Sequence, residues 1–253
     1  MFTLEGPGRK PHHNRVLAAT LSIIAGFVNS AGFMLVGSFT SHVTGHAGRL
    51  ASDVAEQKLP SAASAFLLVL AFFSGAFVAN MVLLTRIVRR RPLIYAALLF
   101  LEGGLLATFV QLINGVVLVP EVPVADAEAS ILCFAMGVQN SMVTLISDAR
   151  VRTTHLTGVV TDLGIEAARW VRFLIWRAAP TYSSSVPPPQ PATALLLLNI
   201  FGGFMTGGVL GALSTQLWGA QAMYAPALAA SLAGAYAVWS GTRAPAAPAT
   251  GPS

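Results

Sequence analysis

Six stretches of apolar residues, roughly 16–36, 61–85, 93–119, 129–146, 192–217 and 220–239, run nearly end to end through this chain. A helix rises 1.5 Å per residue, so about 20 apolar residues cover the roughly 30 Å of hydrocarbon in a bilayer. Each stretch has about that length, although the fourth carries Gln139 and Asn140. Only 10% of the 253 residues are charged, against about a quarter in soluble domains. The expected class is therefore an all-α polytopic membrane protein with about six transmembrane helices. The first stretch follows basic residues, as in a signal peptide, but Val16–Val36 is long enough to span and remain.

The formal charge of +5 does not call for a nucleic-acid partner, because the basic residues lie in short runs between apolar stretches. Such runs orient helices, since cytoplasmic loops retain Lys and Arg. With the N-terminus inside, thirteen of the fifteen basic residues fall on the cytoplasmic side, and only Arg49 and Lys58 fall outside with the acidic segment Glu121–Glu128. This alternation predicts a multi-pass protein of the bacterial inner membrane with both termini cytoplasmic. Cys133 is the only cysteine, which excludes an internal disulfide and a thiolate cluster.

The two halves repeat. G-F-V-N-S at 26–30 precedes T-S-H-V-T-G at 40–45, and G-V-Q-N-S at 137–141 precedes T-T-H-L-T-G at 153–158. A-F-F-S-G-A-F-V-A at 71–79 then aligns with G-F-M-T-G-G-V-L-G at 203–211. Three spans are an odd number, so the second unit must enter from the opposite side. This predicts two three-helix inverted repeats, 16–119 and 129–240, as found among transporters. Around them lie a cytoplasmic tail over 1–15, an external acidic loop over 120–128, a basic segment with a Pro-rich linker over 148–191, and a disordered tail over 241–253.

The T-x-H-x-T-G segments read as interruptions, because threonine favours caps and glycine tolerates unusual dihedrals. Short helices are expected after them, near 46–57 and 159–175. Two readings stand. Either both segments are re-entrant, with half-helix N-termini that favour anions, or both are interfacial loops that lead into surface helices. IEAARWVRFLIWR at 165–177, with three arginines and two tryptophans, has the composition of an interfacial helix.

The stretches GFVNSAGFMLVGSFTSHVTGHAGRLA, CFAMGVQNSMV and ARVRTTHLTGVVTDLG resemble the YoaK-like family of bacterial inner-membrane proteins, a domain of unknown function. The resemblance covers about 16–240 and implies a multi-span membrane protein, with no substrate, cofactor or catalytic residue to carry over.

A path between the halves would be lined by Asn29, Thr44, Gly45, Arg49, Glu102, Asn140, Thr157, Gly158 and Asp162. Glu102 is the acidic residue deep in a span, and a charge there costs about 2.5–3.5 kcal/mol on insertion scales. It reads either as a protonatable coupling or gating group, or as a structural carboxyl that is paired with Arg49 or bonded to a neighbouring helix. Arg49 and Asp162 stand at equivalent places and would form a salt bridge if the segments meet. His42 and His155 are also equivalent, but no further ligand completes a metal shell. The asparagines serve either a path or interhelical bonding, and Gly75/Ala79 and Gly207/Gly211 permit close packing.

No nucleophile with a base and no nucleotide loop is present, so no enzyme activity and no cofactor are expected. The leading expectation is a small-solute or ion transporter or channel. The alternative is a scaffold or regulator that binds anionic lipid or a partner through the basic segment 148–177, with Arg169, Arg172 and Arg177 in contact. Expected partners are the lipid bilayer, a small solute or ion, and a second copy of the chain.

Overall fold

A computed structural model describes residues 11–84, 91–115, 124–148, 151–178 and 188–243. The described residues are helical without a strand: α1 Pro11–Val36, α2 Val43–Ala55, α3 Leu59–Leu84, α4 Arg91–Ile113, α5 Val124–Ile146, α6 Leu156–Ala178, α7 Pro191–Trp218 and α8 Tyr224–Arg243. The expected N-terminal tail to residue 10, most of the basic turn 86–92, residues 120–123 of the acidic loop, much of the Pro-rich linker and the tail after Arg243 lie outside the described residues.

Five stretches are long and apolar enough to cross a membrane. The last, Pro191–Arg243, has 53 residues and is divided by a 3-10 turn at Gly219–Met223, where Gly219 has φ +56°. Several boundaries differ from the sequence expectation. α4 ends at Ile113 rather than near 119, with Gly115 in the left-handed region at φ +96°. α5 begins at Val124, so Asp126 sits in its first turn, where the helix dipole favours an acid. Both short helices start earlier than expected, at Val43 and Leu156.

Large apolar side chains cover the outside of the long helices, among them Phe66, Phe73, Phe77 and Leu84 on α3 and Leu213, Leu217 and Trp218 on α7. An apolar surface of this extent in water marks an aggregation or membrane surface. On helices of spanning length it marks an integral membrane protein.

Contacts between helices fix their directions. Along α3 and α5, Ser64 donates to Asp126 at 2.5 Å and Asn80 Nδ2 donates to Ser141 Oγ at 2.5 Å. Higher numbers on one helix meet higher numbers on the other, so the pair is parallel. On α1 and α7, Gly203, Gly207 and Gly211 lie against the carbonyls of Ala19, Ile23 and Phe27, again in parallel. α4 and α8 are antiparallel: Pro92 meets Gly241, Gly103 meets Ala227, and Gln111 Nε2 donates to Tyr224 Oη at 2.7 Å.

The closest approaches recur between the halves. A Cβ on Gly26 would overlap the Phe204 carbonyl, and a Cβ on the aligned Gly137 would overlap that of Phe72. Likewise Gly207 abuts the Ile23 carbonyl, and its aligned Gly75 abuts that of Phe134. Across α4 and α8, Gly103 faces the Ala227 carbonyl while Gly234 faces that of Ala96. Small residues let these backbones touch, which is how helices associate without a hydrophobic drive between them.

Candidate functional site

Each T-x-H-x-T-G segment folds back along the helix that precedes it. Ser41 donates to Asn29 Oδ1 through its backbone N–H at 3.2 Å and its hydroxyl at 3.0 Å. Asn29 lies seven residues before the end of α1, about 10 Å back along the axis. In the second half the Thr153 hydroxyl reaches Gln139 Oε1 at 3.5 Å, and Gln139 again lies seven residues before the end of α5. α2 then runs outward for 13 residues, about 20 Å, too short to span.

Two acids tie these helices to the next span. Asp53 Oδ2 accepts from the Ser61 hydroxyl at 2.6 Å at the start of α3, with Arg49 Nε at 3.4 Å. Glu166 pairs with Arg169 and accepts the Gln190 backbone N–H at 3.0 Å, at the N-cap of α7. Asp53 and Glu166 each stand four residues after the aligned pair Arg49 and Asp162.

The two segments meet at one place. A cavity of about 530 Å³ is lined by Ser41, His42 and Thr44 from the first and by Arg152, Thr154, His155 and Thr157 around the second, with Phe72 on α3 and Asn140 on α5 completing the wall. A second cavity of about 240 Å³ is bounded by Ser41, His42, Thr154 and Thr157, now with Asn29 on α1 and Phe204 on α7. Asn29 and Asn140 are aligned, as are Phe72 and Phe204, so the two cavities have corresponding walls.

The motif's glycines have a steric role here. The His42 ring lies over Gly45 and the His155 ring over Gly158, where a Cβ would collide with each ring. His42 is the N-cap of α2 and makes no side-chain cap bond, so the first amides of α2 take no partner from it. His46 is buried and its Nε2 lies 2.9 Å from the Phe39 carbonyl; burial pushes its pKa below 6.5, although the carbonyl bond opposes this.

Among the residues singled out from sequence, Asn29, Asn140, Thr44 and Thr157 reach the cavities, and Gly45 and Gly158 lie under the histidines. Arg49 is bonded to Asp53 and Ser61 rather than to Asp162 or Glu102, and Asp162 is exposed on α6. Glu102 is fully buried and accepts from Gln139 Nε2 at 3.0 Å, while its Oε2 has no partner. Of the three basic residues, Arg169 is engaged with Glu166, Arg172 is half-buried and Arg177 packs over the Phe173 ring. No group of three or more potential metal ligands occurs among the described residues. Sequence reasoning passed over Arg152, Asp53 and Glu166. Extending the repeat alignment by four residues past Arg49 and Asp162 finds the last two.

These long apolar helices define a multi-span integral membrane protein. The family model described as a protein of unknown function, DUF1275, matches residues 17–236, and the chain belongs to that family. The YoaK-like resemblance is compatible with this membership. No curated protein and no solved structure matches the chain.

Proposed function

We propose that this protein is a small-solute or ion transporter or channel of the bacterial inner membrane, non-enzymatic, with its site between two inverted three-span repeats. The observation that carries this reading is that both T-x-H-x-T-G segments line one cavity and reach back to residues about two turns inside α1 and α5. Broken backbone survives at membrane depth where protein or a water-filled cavity satisfies it. The recurrent glycine contacts support the inversion. The parallel pair α1/α7 corresponds to the parallel pair α5/α3, while the antiparallel pair α4/α8 makes reciprocal contacts with itself. A pseudo-two-fold axis in the membrane plane relates elements in this way. The turn at Gly219, which divides the 53-residue stretch Pro191–Arg243, supports counting that stretch as two spans.

The test is flux through proteoliposomes that contain the full chain. Uptake or current for any member of a panel of small ions and neutral solutes, lost on Thr44→Trp and on Thr157→Trp, is the expected result. Vesicles inert across the panel would overturn the reading.

A second reading, a scaffold that docks on anionic lipid, is favoured by the outer face of α6, where Val171, Leu174, Ile175 and Trp176 are exposed beside Arg177. Binding to anionic vesicles that is lost when Arg169, Arg172 and Arg177 are neutralised, with no flux, would support it.

A further inference from the structure

We infer that the ligand of the larger cavity is a small carboxylate or oxyanion. The inference rests on the conduit reading for its biological sense, but the binding chemistry stands on the cavity itself. Among the described residues, the charged or ionisable side chains in its wall are Arg152, His42 and His155, with no Asp or Glu. Arg152 is exposed and forms no ion pair with a carboxylate among the described residues. An unneutralised guanidinium on a cavity wall is a fork for a two-oxygen anion.

The uncharged wall is donor-rich as well. Ser41, Thr44, Thr144, Thr154 and Thr157 bring hydroxyls to it; those of Ser41 and Thr144 are already donated, to Asn29 Oδ1 at 3.0 Å and the Asn140 carbonyl at 2.7 Å, which leaves Thr44, Thr154 and Thr157. Asn140 lines the same wall, and its buried side-chain oxygen has no protein partner; as an acceptor it takes a water or a protonated group of the ligand, not the anion's oxygens. α2 and α6 both begin at the cavity, at Val43 and Leu156, and their partial positive ends add to the same field. The nearest buried carboxyl in the network, Glu102, is turned to Gln139 and does not line the cavity. Phe72 and Phe73 close the apolar side, which suits a small anion with a short apolar body and disfavours a hydrated cation.

The experiment measures thermal stabilisation and calorimetric binding of the full-length protein in neutral detergent at constant ionic strength. The probes are acetate, nitrate and phosphate, with acetamide as the neutral isostere and tetramethylammonium as the cation. The expected result is saturable binding of at least one anion and none of acetamide or tetramethylammonium. Arg152→Gln should weaken binding by about tenfold or more, with Arg152→Lys intermediate, since the point charge remains but the fork is lost. Lys58→Gln, outside the cavity, should bind as the parent does.

Absence of binding by all three anions would overturn the inference, as would anion binding unchanged in Arg152→Gln. Binding or flux of acetamide or tetramethylammonium in place of the anions would overturn it while leaving a conduit. Anion binding that depends on Arg152, with no flux in proteoliposomes, would keep the inference and remove the conduit reading.

Discussion

Glu102 at the middle of α4 accepts a hydrogen bond from Gln139, seven residues before the end of α5, and Gln139 in turn lies 3.5 Å from Thr153 at the head of the second T-x-H-x-T-G segment. All three side chains are fully buried. A line of polar contact thus runs from α4 to Thr153, whose chain neighbours Arg152 and Thr154 line the cavity. Glu102→Gln keeps an acceptor for Gln139 and removes the ionisable group, so its thermal midpoint in detergent should stay close to the parent's. Glu102→Ala strands Gln139 and should cost about 1–3 kcal/mol. If flux is proton-coupled, Glu102→Gln should abolish its pH dependence in proteoliposomes.

The glycine contacts predict position-specific intolerance. A Cβ at Gly26, Gly75, Gly137 or Gly207 would overlap a backbone carbonyl of the facing helix. Overpacking of a rigid interface costs about 1–3 kcal/mol, so each Gly→Ala change should lower the thermal midpoint and the yield of folded protein. Gly48 in α2 faces open space, and Gly48→Ala should be neutral or stabilising by about 0.5–1 kcal/mol. Equal tolerance at all five positions would contradict the packing described.

The two acids that tie α2 and α6 to the following spans differ in burial. Asp53 shares its contacts with Arg49, whose side chain is 42% exposed, and exposed pairs contribute about 0–1 kcal/mol. The Glu166 side chain is 4% exposed and holds a backbone N–H at Gln190. Its removal should cost more, about 1–3 kcal/mol. Glu166→Ala should therefore unfold at lower temperature than Asp53→Ala, with proteolysis opening first at the α6–α7 junction.

Acid should loosen the start of α2. The folded-state pKa of His46 is lowered from 6.5 by burial, so between that lowered value and 6.5 the unfolded chain binds more protons. Stability contributed by the neutral ring is present above pH 6.5 and lost as pH falls toward the folded pKa. Hydrogen exchange at Val43–Ala55 should rise through this window, and His46→Gln should flatten the dependence.

The long apolar helices were legible in the sequence because they depend on local pattern, and the repeated strings singled out Asn29, Asn140, Thr44 and Thr157, which line the cavities. Run length measures bilayer thickness, and the matching G-x-x-N-S and T-x-H-x-T-G strings mark equivalent elements whatever their partners. The choice between re-entrant segment and surface loop was not legible, since threonine and glycine suit both. Ser41 on Asn29 and Thr153 beside Gln139 lay each segment against the helix before it, and such bonds depend on where the chain goes after α1 and α5 end.

Pairing was equally opaque. Arg49 and Asp162 align in sequence, but a two-fold relation puts equivalent residues at equivalent places, not in contact, unless they lie near the axis. Arg49 instead finds Asp53 one turn away. Arg152 was read only as part of the basic segment 148–177 because it lies outside the repeated string, and the meeting of the two segments gives it a cavity to face. Membrane class and internal repetition thus followed from hydrophobic length and order along the chain, whereas the site followed from tertiary structure, because a cavity between halves is a property of their packing.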